Sequence, residues 1–104
     1  MKVEFRNAQL QKLYEEGRAR KYPLDAAIIR RFVKVVEWLK AARDIYDLWK
    51  LPSLNFEALQ GSSERYSARV SGKYRIEMEI DWENEEKTNG LVGIVELSNH
   101  YGGK

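Results

Sequence analysis

The sequence has no cysteine, a single histidine and no long apolar run. Without cysteine the chain forms neither disulfides nor thiolate metal sites. A zinc site would need carboxylates for every ligand except that one histidine, which is a rare composition. We therefore expect no metal and no cofactor.

Apolar stretches are too short to cross a membrane. None approaches the ~20 residues that a spanning helix needs, and residues 1–5 lack the apolar core of a signal peptide. We expect a cytoplasmic protein. The 104 residues contain no repeat, low-complexity segment or linker, so we expect one domain over residues 1–104.

The net charge of +2 conceals an uneven distribution. Residues 1–75 hold 16 Lys and Arg against 9 Asp and Glu, a balance of +7, and residues 76–104 hold 2 against 7, a balance of −5. A basic body beside an acidic segment can attract a polyanion while the net charge stays small. Charges that merely face solvent are the alternative explanation.

Two amphipathic helices are indicated in the first half of the chain. Asn7 suits the N-cap of the first and Gly17 its end. The second begins near Asp25, a carboxylate suited to the positive end of the helix dipole. Its apolar stripe repeats at three- and four-residue steps: Ile28, Ile29, Phe32, Val35, Val36 and Leu39. Its other face carries Arg30, Arg31 and Lys34.

Strands are indicated at residues 2–5, 65–70, 74–82 and 91–97, and the middle two form a hairpin. The sequence thus predicts an α+β fold, in which two N-terminal helices pack on a mainly antiparallel sheet of about four strands. Apolar residues of both hairpin strands occupy even positions, so their faces coincide only across an odd loop. We predict a three-residue loop over residues 70–72, with Gly72 left-handed. This register sets Arg75 opposite Ser67, and Arg69 opposite Lys73.

The same alternation places the cations of the hairpin on one outward face: Arg65, Arg69, Lys73 and Arg75. Like charges across a ladder repel, so such a cluster indicates a bound anion. The parity of the last strand puts Glu96, Ser98 and His100 on one face, and if this strand pairs with the hairpin, His100 comes near the cations.

Guanidinium groups offer planar forks to phosphate oxygens. An imidazole, with a reference pKa of about 6.5, exchanges protons near neutral pH. Together they suffice for metal-free RNA cleavage by the 2′-hydroxyl, and Tyr101 is a second proton-transfer candidate. The alternative explanation is structural: a histidine just past a strand often only caps it, and edge arginines keep a sheet soluble.

Several segments, taken in order, resemble the HigB branch of the RelE/ParE toxin superfamily. They are Leu59-Gln-Gly61, Tyr66-Ser-Ala-Arg-Val70, Lys73-Tyr-Arg-Ile76 and Glu96-Leu-Ser-Asn-His100, preceded by Leu48-Trp-Lys-Leu-Pro-Ser-Leu-Asn-Phe56. The resemblance implies a RelE-like fold and cleavage of mRNA in the ribosomal A site. It also implies a HigA-like helix-turn-helix antitoxin, whose complex with the toxin binds operator DNA.

By motif position, Arg69 and Arg75 match the strand arginines of the family, and His100 matches the histidine that ends its last strand. Family members often carry Asp-Tyr before this histidine, where this chain has Ser98-Asn99, so Tyr101 is the candidate substitute for the tyrosine. Further cations would contact ribosomal RNA: Arg18, Arg20, Lys21, Arg30, Arg31 and Lys34. The alternatives are a ParE-like gyrase poison of the same fold and an inactive relative that only binds RNA or its antitoxin.

Overall fold

Side-chain caps begin both long helices where the sequence predicts. Asn7 Oδ1 accepts the backbone N–H groups of Gln9 and Leu10 at 3.0 and 3.2 Å, and helix α1 (Ala8–Glu16) ends at Gly17, whose φ is 77°. Asp25 Oδ1 accepts the N–H of Ile28 at 2.9 Å and begins helix α2 (Ala26–Ala41). These caps satisfy backbone donors that have no partner inside the helix.

The computed structural model describes residues 1–61 and 64–99. Besides α1 and α2 it contains helix α3 (Ile45–Trp49) and a 3₁₀ turn (Pro52–Leu54). The strands are β1 (Lys2–Phe5), β2 (Glu57–Ala58), β3 (Arg65–Arg69), β4 (Arg75–Trp82) and β5 (Gly90–Ser98). They form one sheet in the order β1-β5-β4-β3-β2, in which only β1 and β5 are parallel.

This architecture confirms the predicted α+β fold, with two differences in detail. The sheet has five strands rather than about four, because the two-residue β2 is too short to give a periodic pattern. The short helical turn that the sequence indicates at residues 44–50 is a third helix, α3, which Asp44 caps. No helix in the described ranges is long and apolar enough to cross a membrane.

The core lies between the helices and one face of the sheet. Fully buried side chains of α2, such as Phe32 and Leu39, share one apolar cluster with Tyr66, Ile76 and Met78 of the hairpin. Alternate residues of β3 and β4 therefore point away from the helices. We call this second surface the outer face; it bears Arg65, Ser67, Arg69, Arg75, Glu77 and Glu79.

The hairpin keeps the predicted parity but not the predicted register. Arg69 pairs with Arg75, and Ser67 with Glu77, a shift of two residues from the expected pairing. Gly72 is not in the left-handed region. Ser71 explains both differences. Its hydroxyl accepts the backbone N–H groups of Lys73 and Tyr74 at 3.3 Å and so stabilises a turn that needs no residue with positive φ.

A β-bulge in β5 sets which residues reach the outer face at its end. Met78 pairs with Ile94 and Glu77 with Glu96, so Val95 is the extra residue. The bulge shifts the alternation by one position. Glu96 and Ser98 therefore lie on the outer face, as predicted.

Candidate functional site

Two arginines meet at one end of the outer face. Arg69 pairs directly with Arg75 across the hairpin, and Arg75 pairs with Ser98 at the end of β5. We call this row (Arg69, Arg75 and Ser98) the arginine end. The structure thus brings together two of the predicted catalytic residues, although in a register that the sequence did not predict.

Arg75 is buried, with only 6% of its surface exposed. Its Nε donates to Ser67 Oγ at 3.0 Å, and one terminal nitrogen donates to the backbone oxygen of Asn55 at 2.5 Å. Glu57 lies nearby, with a carboxylate oxygen 3.9 Å from the same nitrogen. Such charge-assisted contacts hold the guanidinium in one orientation.

Asn55 helps to hold Arg75 in place, although the sequence did not indicate it as a site residue. It ends the 3₁₀ turn with φ 42° and ψ 52°, a left-handed conformation that asparagine tolerates better than most residues. Its oxygen then accepts the hydrogen bond from Arg75. The available signal was an asparagine just after Pro52-Ser53-Leu54, a pattern typical of a turn end.

Arg69 and Lys73 have the opposite surroundings. Both are exposed, and neither side chain has an ion pair or hydrogen bond within residues 1–61 and 64–99. An exposed guanidinium without a carboxylate partner is available to an external anion. Arg69 is therefore the accessible member of the arginine pair.

Arg65 is not part of an unpaired cationic cluster, contrary to the prediction. Its two terminal nitrogens contact Glu77 at 3.2 Å and Glu79 at 3.3 Å. From the other side Arg6 contacts Glu79 at 2.6 Å and Asp81 at 3.1 Å. The sheet alternates charge signs here, so this part of the outer face neutralises itself, whereas Arg69 at the arginine end has no carboxylate partner among the described residues.

His100 and Tyr101 lie outside the described residues. The structure reaches Asn99, which is exposed and directly follows the buried Ser98. Because β5 pairs with β4 and Ser98 lies opposite Arg75, β5 ends beside Arg75.

The cations predicted to contact ribosomal RNA lie on the helical side of the molecule. Arg18, Arg20 and Lys21 are exposed between α1 and α2, and Arg30 and Lys34 are exposed on α2. Arg30 and Lys34 border a groove of about 790 Å³ with an apolar floor of Ala27, Ile29 and Val33. Arg31 differs, because its Nε donates to the backbone oxygen of Val70 at 3.1 Å and its guanidinium lies over Trp38.

Two clear pKa shifts arise from contacts of the helices. Hydrogen bonds from the side chain and backbone of Arg43 lower the pKa of Asp47 from 3.8 to about 2. A hydrogen bond to the Tyr14 hydroxyl raises the pKa of Lys40. Both are structural contacts, one at the start of α3 and one between α1 and α2. Within the described ranges, no three His, Asp or Glu side chains are grouped as metal ligands.

Comparison with known proteins agrees with the fold and the motifs. A family model described as "RelE-like toxin of type II toxin-antitoxin system HigB" matches residues 3–93. No curated protein matches the chain. Among solved structures, a YoeB/ParE toxin from Agrobacterium tumefaciens is similar with a TM-score of 0.57, over 97% of this chain and 100% of that chain. Its identity of 13% supports the fold alone. Because the family match covers most of the sequence, the chain belongs to the HigB family of RelE-like toxins of type II toxin-antitoxin systems.

Proposed function

We propose that the protein is an endoribonuclease that cleaves messenger RNA in the A site of the ribosome and so inhibits translation. The observation that carries the proposal is the arginine end. There an accessible Arg69 and a fixed Arg75 are paired, and β5 ends beside them, two residues before His100. A phosphate bound by these guanidinium groups would lie close to the end of β5.

The reaction that we propose takes place within the RNA and needs no metal or cofactor. The 2′-oxygen attacks the adjacent phosphorus, and the bond between phosphorus and the 5′-oxygen breaks. A general base removes the proton of the 2′-hydroxyl, and a general acid protonates the departing 5′-oxygen. The products are a 2′,3′-cyclic phosphate and a 5′-hydroxyl. Proton transfer of this kind typically contributes ~10²- to 10⁴-fold, and we assign it to His100 and Tyr101.

The two arginines have different tasks in this proposal. Arg69, exposed and without a carboxylate partner among the described residues, binds a phosphate oxygen directly. Arg75 supplies a positive charge whose position Ser67 and Asn55 fix before the RNA arrives. Preorganised cations stabilise the negative charge that develops on the phosphate oxygens in the transition state. Arg65 contributes less to this field, because Glu77 and Glu79 hold it.

Ribosomal RNA would be contacted by exposed cations outside the site. These are Arg18, Arg20, Lys21, Arg30 and Lys34. Such contacts go to RNA phosphates and weaken with added salt. Arg31 has a supporting task instead, since it already holds the hairpin through Val70.

A type II toxin has an antitoxin partner, as family membership implies. We infer that this partner is HigA-like, with a helix-turn-helix domain, and that the toxin reaches operator DNA only through their complex. A small helix-turn-helix reading frame immediately downstream of the toxin gene would support this part of the proposal.

Expression of the chain without its antitoxin tests the proposed function. We expect growth to stop, and mapped mRNA ends to show in-frame cuts within translated messages. Because cleavage depends on translation, untranslated RNA of the same cells should remain intact and serves as the internal control.

The ParE-like alternative predicts a different result from the same culture. A gyrase poison leaves messages intact and produces covalent gyrase–DNA complexes. That outcome would rule out the ribonuclease, and growth without arrest would indicate an inactive relative.

A further inference from the structure

A groove separates the α1–α2 connection from the β3–β4 turn, beside the arginine end. It has two adjoining compartments of about 590 and 280 Å³, which share Pro23, Leu24 and Tyr74. Lys73 lines the first compartment, and Lys21 lines the second. We call it the Tyr74 groove. The groove lies at the same end of the sheet as the arginine end but on its helix-facing side, since Tyr74 directly precedes Arg75 and the lining residue Asn99 follows Ser98.

Tyr74 is held in place by its backbone and presents a half-buried ring to the groove. The backbone oxygen of Tyr74 accepts the backbone N–H groups of Val70 and Ser71 at 2.9 and 3.1 Å. The backbone N–H of Tyr74 donates to Ser71 Oγ at 3.3 Å. The Tyr74 hydroxyl has no hydrogen-bond partner within the described ranges. The groove therefore has a fixed aromatic wall with an open polar tip.

The opposite wall is also built in advance. The hydroxyl of Tyr22 accepts a hydrogen bond from Asn7 Nδ2 at 3.2 Å. The backbone N–H of Tyr22 donates to the backbone oxygen of Ala19 at 3.0 Å. Pro23 then fixes the backbone at the groove. Arg31 ties the two walls together, because it extends from α2 to the oxygen of Val70. A ligand would find this groove already formed.

The charge of the groove favours an anion. Lys21 and Lys73 are exposed, and neither side chain has an ion pair with any residue in the described part of the chain. Asp25 is the one carboxylate among the lining residues, and it caps α2 through the N–H of Ile28. Cations beside an aromatic side chain form the combination with which proteins bind single-stranded nucleic acid.

We propose that the Tyr74 groove binds a nucleotide of single-stranded RNA next to the scissile phosphate. The base stacks on Tyr74, and Lys73 and Lys21 bind the flanking phosphates. Asn99 offers an amide to the edge of the base. The proposal rests on the proposed function, and it adds a substrate subsite in which Tyr74 is a binding residue rather than a catalytic one.

Binding of a non-cleavable RNA tests the groove independently of cleavage. The probe is a fluorescein-labelled hexanucleotide with 2′-O-methyl groups, which lacks the attacking hydroxyl. Tyr74→Leu, which removes the aromatic face, should weaken binding at least about fivefold, the lower bound for loss of one base stack. Tyr74→Phe keeps the ring and should bind like the wild type.

A lysine pair provides the matched control and does not depend on how Tyr74→Leu folds. Lys73→Gln should lower the slope of log affinity against log salt by about 0.7, as loss of one single-strand phosphate contact requires. Lys2→Gln makes the same charge change on β1, which pairs with the beginning of β5 at Leu91, and should leave the slope unchanged.

The proposal for the groove would be overturned if Lys73→Gln and the wild type had equal slopes of log affinity against log salt. It would also be overturned if the wild type did not bind the probe. Ribosomal cleavage assays separate this outcome from failure of the proposed function. Suppose that the wild type cleaves mRNA, and that Tyr74→Leu and Lys73→Gln both cleave it with the codon preference and KM of the wild type. Then only the proposed role of the groove is wrong. If the wild type binds the probe through the groove but does not cleave, only the nuclease fails.

Discussion

Arg69 and Arg75 are neighbours across one hairpin, yet their surroundings differ completely. Arg75 is buried against Ser67 and Asn55, whereas Arg69 is exposed. A loss of toxicity in Arg75→Ala would therefore not separate catalysis from folding. At the residue scale, Arg69 is the better probe of the chemistry.

The two alanine variants should separate stability from activity. Arg75→Ala leaves polar groups of Ser67 and Asn55 without their donor and should lower the free energy of unfolding by about 1–3 kcal/mol. Arg69→Ala removes an exposed side chain and should change it by no more than about 0.5 kcal/mol. It should nevertheless slow mRNA cleavage about 10²-fold, as loss of one charge-stabilising group does.

Urea unfolding and ribosomal cleavage of both purified variants check this prediction. Arg69→Lys is the control, since it keeps the charge but not the planar fork. Full activity of Arg69→Ala would contradict the assignment of phosphate binding to the arginine end.

At the scale of elements, features fixed by nearby residues were predicted well and distant pairings were not. The starts of α1 and α2 follow from Asn7 and Asp25, whose caps act within three residues. The hairpin register depends on how Ser71 holds its turn, which alternation alone does not reveal. The pairing of Arg6 with Glu79 joins residues 73 positions apart, and no local pattern indicates it.

Strand β5 contains two glycines that make room for different neighbours. A Cβ at Gly93 would lie 2.2 Å from Nε of Arg6, which crosses β5 there to reach Glu79. A Cβ at Gly90 would lie 2.7 Å from the ring of Trp82. The first neighbour is the end of a flexible side chain, and the second is a ring packed on Tyr66.

The two glycine variants should therefore differ in cost and in salt dependence. Gly90→Ala forces the Trp82 ring to move and should destabilise the fold by about 1–3 kcal/mol at any salt concentration. Gly93→Ala displaces Arg6 and should cost about 1 kcal/mol or less, with a smaller cost in high salt, because it breaks only surface ion pairs. Urea titrations at low and high salt measure both, and an equal, salt-independent cost would contradict the network around Arg6.

At the scale of the whole molecule, the acidic C-terminal third neutralises part of the positive charge of the basic remainder. Glu77, Glu79 and Asp81 neutralise Arg6 and Arg65 on the outer face. Among the described residues, exposed cations without an ion pair include Arg69 at the arginine end, Arg18, Arg20 and Lys21 in the α1–α2 connection, and Arg30 and Lys34 on α2. The sequence revealed this imbalance, but only the fold shows that the two ends of the outer face differ.

The chemistry of the RNA ends is the most direct test of the account. Purified protein would be mixed with ribosomes that hold a defined mRNA, and the cleaved ends would be identified. We predict a 2′,3′-cyclic phosphate and a 5′-hydroxyl, and no cleavage when the nucleotide before the scissile phosphate is 2′-deoxy. Ends with a 3′-hydroxyl and a 5′-phosphate, or cleavage of the deoxy substrate, would contradict attack by the 2′-hydroxyl at the arginine end.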